Sequence, residues 1–188
     1  SNSRNVTVSD VTLQNSPFWT CHAYKSEFLK FNNLRIFSPI APIRSASADG
    51  IDLDVCSNVH VKGCRITVND DAVCFKGGKG PWADQDPVTG PNSTILVEEC
   101  FFDRTTGSCV TCGSECIQTH NIIIRNCGNE ANVSTTGKNA AGILGCVEAT
   151  NVGLKLYNLW NKGNIKGDNG ETSYIWVKYA DYMPTSDA

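Results

Sequence analysis

The sequence predicts an all-β fold, a right-handed parallel β-helix of about six coils. Three observations carry this: a recurring apolar ladder, unequal spacing between its repeats, and little that has the 3.6-residue period of an amphipathic helix. Each rung has two apolar residues two apart, a gap of three, then two more two apart. It runs Val6, Val8, Val11, Leu13, then Leu29, Phe31, Leu34, Ile36, then Val59, Val61, Cys64, Ile66, then Ile95, Val97, Cys100, Phe102. The pattern weakens at Ile122, Ile124, Cys127 and recovers at Val152, Leu154, Tyr157, Leu159.

Each rung is two short period-2 strands joined by a turn, with Asn, Asp or Gly often in the gap and an Asn or other polar residue usually in front. Such a unit cannot bury its apolar side alone, so rungs must stack, with coils about 4.8 Å apart. First members are separated by 23, 30, 36, 27 and 30 residues. Unequal intervals fit a helix whose extra residues leave as loops. The longest interval holds the Gly-, Pro- and Asp-rich segment GGKGPWADQDPVTGPNS. Residues 1–188 are read as one such domain, with 160–188 irregular and suited to a cap.

Composition narrows the partners. With 40% hydrophobic and 19% charged residues the chain is globular, and no apolar run is long enough for a transmembrane helix. A net charge of −3 without a basic block argues against nucleic acid. Ten cysteines would suit a disulfide framework. Yet Cys64, Cys100 and Cys127 share the rung position of Val11 and Leu34, so they are expected to be buried free thiols in a column. Cys21, Cys56, Cys116 and Cys146 fall outside the column and suggest no pairing. The pair Cys109 and Cys112 lacks a second pair at zinc spacing, and no metal is expected. Sequons at Asn5, Asn92 and Asn132 fit a secreted or periplasmic location.

One stretch, VNDDAV at 68–73, does not suit a plain strand. Adjacent carboxylates on a strand would send one into the core, and burying an unpaired carboxylate is costly. For Asp70 and Asp71 both to face outward the chain must bend there, and Asn69 suits a turn. Asp49 lies 21 residues earlier, close to one coil, so three acids should meet on one outer face. Repulsion among them keeps one protonated. That is the equipment of an inverting glycoside hydrolase: one acid for the leaving oxygen, opposed carboxylates for the attacking water. Against this stands the ordinary use of Asp and Asn in β-helix turns.

At these residues the sequence resembles the polygalacturonase-type glycoside hydrolases, family 28. Ser47-Ala48-Asp49-Gly50-Ile51-Asp52 resembles the first signature, and Asp70, Asp71 and Lys76 resemble the second. Asn15–His22 and Gly113-Ser114-Glu115 add weaker likeness. The resemblance implies Asp70 as general acid, Asp49 and Asp71 as the pair that activates water, no cofactor, and a pectin-like or related cell-wall polysaccharide as substrate.

The departures are specific. The family's Gly-His-Gly falls where this chain has Thr106-Gly107-Ser108-Cys109, and its Arg-Ile-Lys falls where Ala-Gly-Ile-Leu-Gly occupies 141–145. Losing that basic pair removes the physical reason to prefer galacturonate. His60 and His120 are expected at the surface. The chain is about half the usual family length, which predicts a truncated or divergent member. Lys76 is a candidate for substrate binding, or instead a partner that lowers the pKa of the aspartates. Trp82 is a candidate sugar platform or a loop anchor; Asp84 and Asp86 make only a faint case for calcium. Tyr174, Trp176, Tyr179 and Tyr182 suit a cap, and exposed β-helix ends suit assembly. The alternative to the hydrolase is a non-catalytic β-helix that binds carbohydrate or serves a structural role. A lyase on the same fold is weaker, because no arginine is placed to abstract a proton.

Overall fold

The computed structural model describes residues 1–39, 42–77, 89–105, 107–113, 116, 119–135, 140–147, 153–167, 172–173 and 175. Short alternating segments become strands because each offers one apolar face to the interior and one polar face to solvent. The first coil carries β1 (Thr7–Ser9), β2 (Thr12–Gln14) and β3 (Cys21–Tyr24). The second carries β4 (Glu27–Asn32), β5 (Arg35–Phe37) and β6 (Ile51–Asp54), and the third β7 (Ser57–Lys62), β8 (Arg65–Thr67) and β9 (Val73–Lys76). The fourth carries β10 (Ser93–Glu98), β11 (Phe101–Arg104) and β12 (Val110–Cys112). The fifth runs from β13 (His120–Arg125) and β14 (Gly128–Asn129) through β15 (Val133–Thr135) and β16 (Ala140–Ala141) to β17 (Leu144–Val147). The last has β18 (Leu154–Tyr157), β19 (Trp160–Asn161), β20 (Ile165–Gly167) and β21 (Thr172–Ser173).

Each strand pairs in parallel with its counterpart one coil away, which makes a right-handed parallel β-helix with three sheet faces. One face is β1-β4-β7-β10-β13-β18, the second β2-β5-β8-β11-β14-β19 and the third β3-β6-β9-β12-β17. Among the described residues there is no helix.

The interior is a set of columns. Leu29, Val59, Ile95 and Ile122 stack in register, as do Phe31, Val61, Val97 and Ile124. All eight are at most 4% exposed. Burial of each such side chain stabilises by about 1.5–3 kcal/mol. The ladder weakens after Cys127 because the next core position is polar: Asn129 is fully buried and donates to Asn161 Oδ1 at 2.6 Å and to Ala131 O at 2.9 Å.

The expected cysteine column is present. Cys64, Cys100 and Cys127 are buried and unbridged, each aimed at the carbonyl two residues earlier and at one in the previous coil. Polar residues in the gaps and before the rungs are also explained. Asp10, Asn33, Gly63, Glu99, Asn126 and Asn158 form one column of positive φ, and Asn5, Phe28, Asn58, Thr94 and Asn121 another. Asn and Asp tolerate that conformation best.

Two details differ from the sequence expectation. The last rung is shifted: Ile122 pairs with Leu154 and Ile124 with Leu156, so Tyr157 faces solvent, 52% exposed. Val152 lies outside the described residues. Each coil also has a third strand that the two-strand ladder did not contain. In β6 and β9 every residue is buried, outward-facing ones included, so an apolar rung alone does not mark them. As expected, His120 is exposed; it opens β13.

Candidate active site

The third sheet carries the chemistry. Its inward rows are Cys21, Ile51, Val73, Val110, Leu144 and Ala23, Leu53, Phe75, Cys112. Pleating therefore turns His22, Asp52, Cys74 and Thr111 outward in one row, and Tyr24, Asp54 and Lys76 in the next. Asp49 lies just before β6, and Asp70 and Asp71 in the bend between β8 and β9. Asn69 fixes that bend from a buried position. It donates to Pro39 O at 2.8 Å and accepts from Arg104 at 2.8 Å.

Ile51 pairs with Val73, so the local coil is 22 residues and Asp49 comes beneath Asp71 rather than Asp70. The backbone confirms the register: Gly50 N–H donates to Asp71 O at 2.9 Å. A Cβ on Gly50 would strike the Ala72 carbonyl, so the two coils approach this closely only with glycine there.

The carboxylates are coupled. Burial raises the pKa of Asp49, with Asp70 adding to it. Burial also raises Asp70, helped by Asp71, while Lys76 and Arg44 pull it back. Asp71 is raised by burial and, more weakly, by Asp49, against the opposing hydrogen bond from Ser108 N–H. The largest effect falls on Asp52: burial, then the charge of Asp49, pushes it up to about 9. At neutral pH Asp52 is thus a neutral acid beside three other carboxylates that burial also pushes upward.

Lys76 is 5% exposed and lies over Trp19, its Nζ 5.1 Å from the ring centroid. Its charge lowers all four aspartates of the cluster. Of the two sequence expectations for Lys76, the charge partner that lowers the aspartate pKa values is the one these directions favour. Trp82, Lys79, Asp84 and Asp86 lie outside the described residues, as do Ser114, Glu115 and the aromatics Tyr174, Trp176, Tyr179 and Tyr182.

Several residues near the cluster had no assigned role in the sequence. Asp52 and Asp54 are outward-facing yet at most 1% exposed, and Asp54 Oδ2 meets His22 Nε2 at 3.2 Å. Trp19 packs edge-on against His22 with centroids 4.9 Å apart. Arg44 is exposed and acts on Asp70, and its guanidinium donates to Asn69 O at 3.2 Å. The signal for the acids was the alternation IDLD; for Arg44 there was none, because a loop residue's position follows from the packing of coils.

Ser108 stands in the segment where a histidine is missing. Its N–H binds Asp71 Oδ1. A Cβ on Gly107 would strike Asp71 Oδ1 and come within 2.8 Å of Asp70 Oδ1. The strand β17 that follows one coil on reads Leu144-Gly145-Cys146-Val147 and carries no basic residue.

The candidate site is thus a cluster of aspartates on two consecutive coils of a parallel β-helix. Residues 1–129 match the family described as glycosyl hydrolases family 28, and the chain belongs to it. The match contains all three candidate aspartates and ends before 141–145. A probable polygalacturonase of Vitis vinifera is 30% identical over 114 residues, 60% of this chain and 22% of that protein. One of Arabidopsis thaliana is 28% identical over 131 residues, 70% of this chain and 27% of that protein. The chain thus spans about a quarter of the length of these relatives. Among solved structures, a family 28 exopolygalacturonase of Yersinia enterocolitica superposes with a TM-score of 0.60 at 14% identity, covering 90% of this chain and 38% of that one. An exopolygalacturonase of Thermotoga maritima gives 0.52 at 24% identity, covering 82% and 36%. These two likenesses speak to the fold.

Proposed function

We propose that the chain hydrolyses glycosidic bonds in a pectin-like or related plant cell-wall polysaccharide, with inversion, using Asp49, Asp70 and Asp71. The observation that supports this is the register that sets Asp49 beneath Asp71, next to Asp70 in the bend; burial raises the pKa of all three. Asp70 is the general acid: it is half-buried at the bend, and Asp71 beside it favours its protonated form. Asp71, held as an acceptor by Ser108 N–H, and Asp49 take the proton of the attacking water. Asp52 keeps a proton of its own, which limits the negative charge that Asp49 must bear. No cofactor enters this scheme. The polysaccharide sets the location, secreted or periplasmic.

The substrate preference follows from what is missing. With Ser108 in the histidine segment and no base in 141–145, the exposed Arg44, whose charge acts on Asp70, is the cation that a substrate carboxylate would meet on that side of the site. The same absences favour the second reading, a β-helix that binds glycan without cleaving it. Incubation with homogalacturonan, rhamnogalacturonan and neutral glycans, followed by NMR of new reducing ends, decides between them. New ends of inverted configuration, absent with Asp70→Asn, are expected; binding without release from any glycan would replace the hydrolase by the binding protein.

A further inference from the structure

Asp49, Asp52 and Cys74 form a cluster apart from the general acid. One carboxylate oxygen of each aspartate and the Cys74 Sγ all lie within 4.8 Å of one another, and all three residues are buried. The Cys74 thiol donates to Asp49 Oδ2 at 3.5 Å. The placement follows from the pleat: Asp52 and Cys74 are register partners on β6 and β9, both turned outward, with Asp49 just before β6.

A second observation points to a ligand here. Asp52 is fully buried, and neither of its carboxylate oxygens makes a hydrogen bond of good geometry, nor does Asp49 Oδ1, although Asp49 and Cys74 stand close enough to Asp52 to act on it. A buried polar group left unmatched costs about 1–3 kcal/mol, and an ion is one of the few things that satisfies it. The cluster offers unmatched oxygens and a sulfur converging on one point.

We propose that Asp49, Asp52 and Cys74 bind a thiophilic divalent cation of the zinc class, which blocks the aspartate site reversibly. Two carboxylates and a thiolate are a ligand set for zinc, cadmium or cobalt, and an unsuitable one for calcium or magnesium, which take oxygen only. Zinc–sulfur and zinc–oxygen bonds of about 2.3 and 2.0–2.2 Å require ligand atoms about 3.3–3.7 Å apart. The Cys74 Sγ and Asp49 Oδ2 are already at that separation, 3.5 Å, and Asp52 must close by no more than about 1 Å. The thiol binds as thiolate and Asp52 as carboxylate, so a proton from each leaves to solvent. Half-buried Asp70 and Asp71 face the same site and give the cation its approach, while Lys76 opposes it and limits affinity. Cation on Asp49 removes a base from the proposed hydrolysis. Only that consequence rests on the proposed function; the binding stands on the geometry.

The test is a spectroscopic titration of the reduced chain with Co²⁺. One equivalent should bind, with a thiolate-to-cobalt charge-transfer band. Cys74→Ala should abolish the band. Groups that only orient a ligand are worth about 10- to 100-fold in affinity, so loss of a ligand itself should weaken binding by more than ~100-fold. Asp52→Asn should weaken binding while keeping the sulfur band. Cys64→Ala, in the distant thiol column, should leave it unchanged. No band in the wild type, or a band that survives Cys74→Ala, overturns the proposal. Where glycan hydrolysis is observed, Zn²⁺ should inhibit the wild type and spare Cys74→Ala. A Cys74-dependent band without hydrolysis overturns the proposed function and leaves the cation site standing; hydrolysis without a band does the reverse.

Discussion

Ser108 donates its backbone N–H to Asp71 Oδ1 across one coil of the helix. The bond ties the position of one catalytic candidate to a strand entry 37 residues later, and it depends on Gly107 leaving room for the two carboxylates.

Gly107→Ala tests that dependence. The added Cβ meets only the tips of Asp70 and Asp71, which can swing aside, so the fold should survive. The reacting groups would move by about 1 Å, which costs about 100-fold in turnover. An unchanged denaturation midpoint with a collapsed hydrolysis rate is the expected pair of results; the measurements are urea unfolding and initial rates.

Asp52 gives the chain a dependence of stability on pH. From its ordinary value of 3.8 up to about 9, the folded chain keeps a proton on Asp52 that the unfolded chain has released. Its contribution is fully present below the unfolded value and is lost as pH rises through the folded one. Each pH unit in that window costs about 1.4 kcal/mol for this one proton. Asp52→Asn, which cannot ionise, should flatten the profile, read as urea midpoints between the two limits.

Lys76 holds the aspartate pKa values down. Lys76→Met removes that effect, so the base carboxylates ionise only at higher pH. The acidic limb of the pH–rate profile should move upward by about one unit or more, within the range that a neighbouring opposite charge produces. A limb that stays in place would remove Lys76 from the counter-ion role.

Asn92 belongs to the scaffold in spite of its sequon. It is fully buried, accepts from Cys56 N–H at 2.8 Å and donates to Lys76 O. Asn92→Ala should destabilise the chain by about 2–4 kcal/mol, from two buried groups left unmatched. Asn5→Ala, at an exposed position in left-handed backbone, should cost only about 1 kcal/mol. In a chain secreted from a eukaryotic host, peptide mass spectrometry should find no glycan on Asn92.

The solenoid was legible in the sequence because its columns repeat. Val59, Ile95 and Ile122 declare an interior row by type alone, and the Asn and Asp of the gaps declare the left-handed turns. The bend at Asp70 and Asp71 was legible for the opposite reason, since two adjacent acids conflict with a strand. The third sheet was not, because both faces of Ile51–Asp54 and Val73–Lys76 are buried.

What the sequence by itself determined is the rung, its stacking and the acids that must leave the core. These follow from the fixed period of a strand and the cost of burying charge. What only the tertiary structure decided is which coils meet at which register. A one-residue difference in the coil put Asp49 under Asp71, and the pleat set Asp52 beside Cys74 with unmatched oxygens. Lys76, on the outward face of β9, was buried beside the aspartates, and a loop brought Arg44 near Asp70. The reason is physical: periodicity is local and can be read along the chain. Register, burial of polar groups and charge coupling depend on distances between residues 20 or more apart in sequence, which exist only once the coils have stacked.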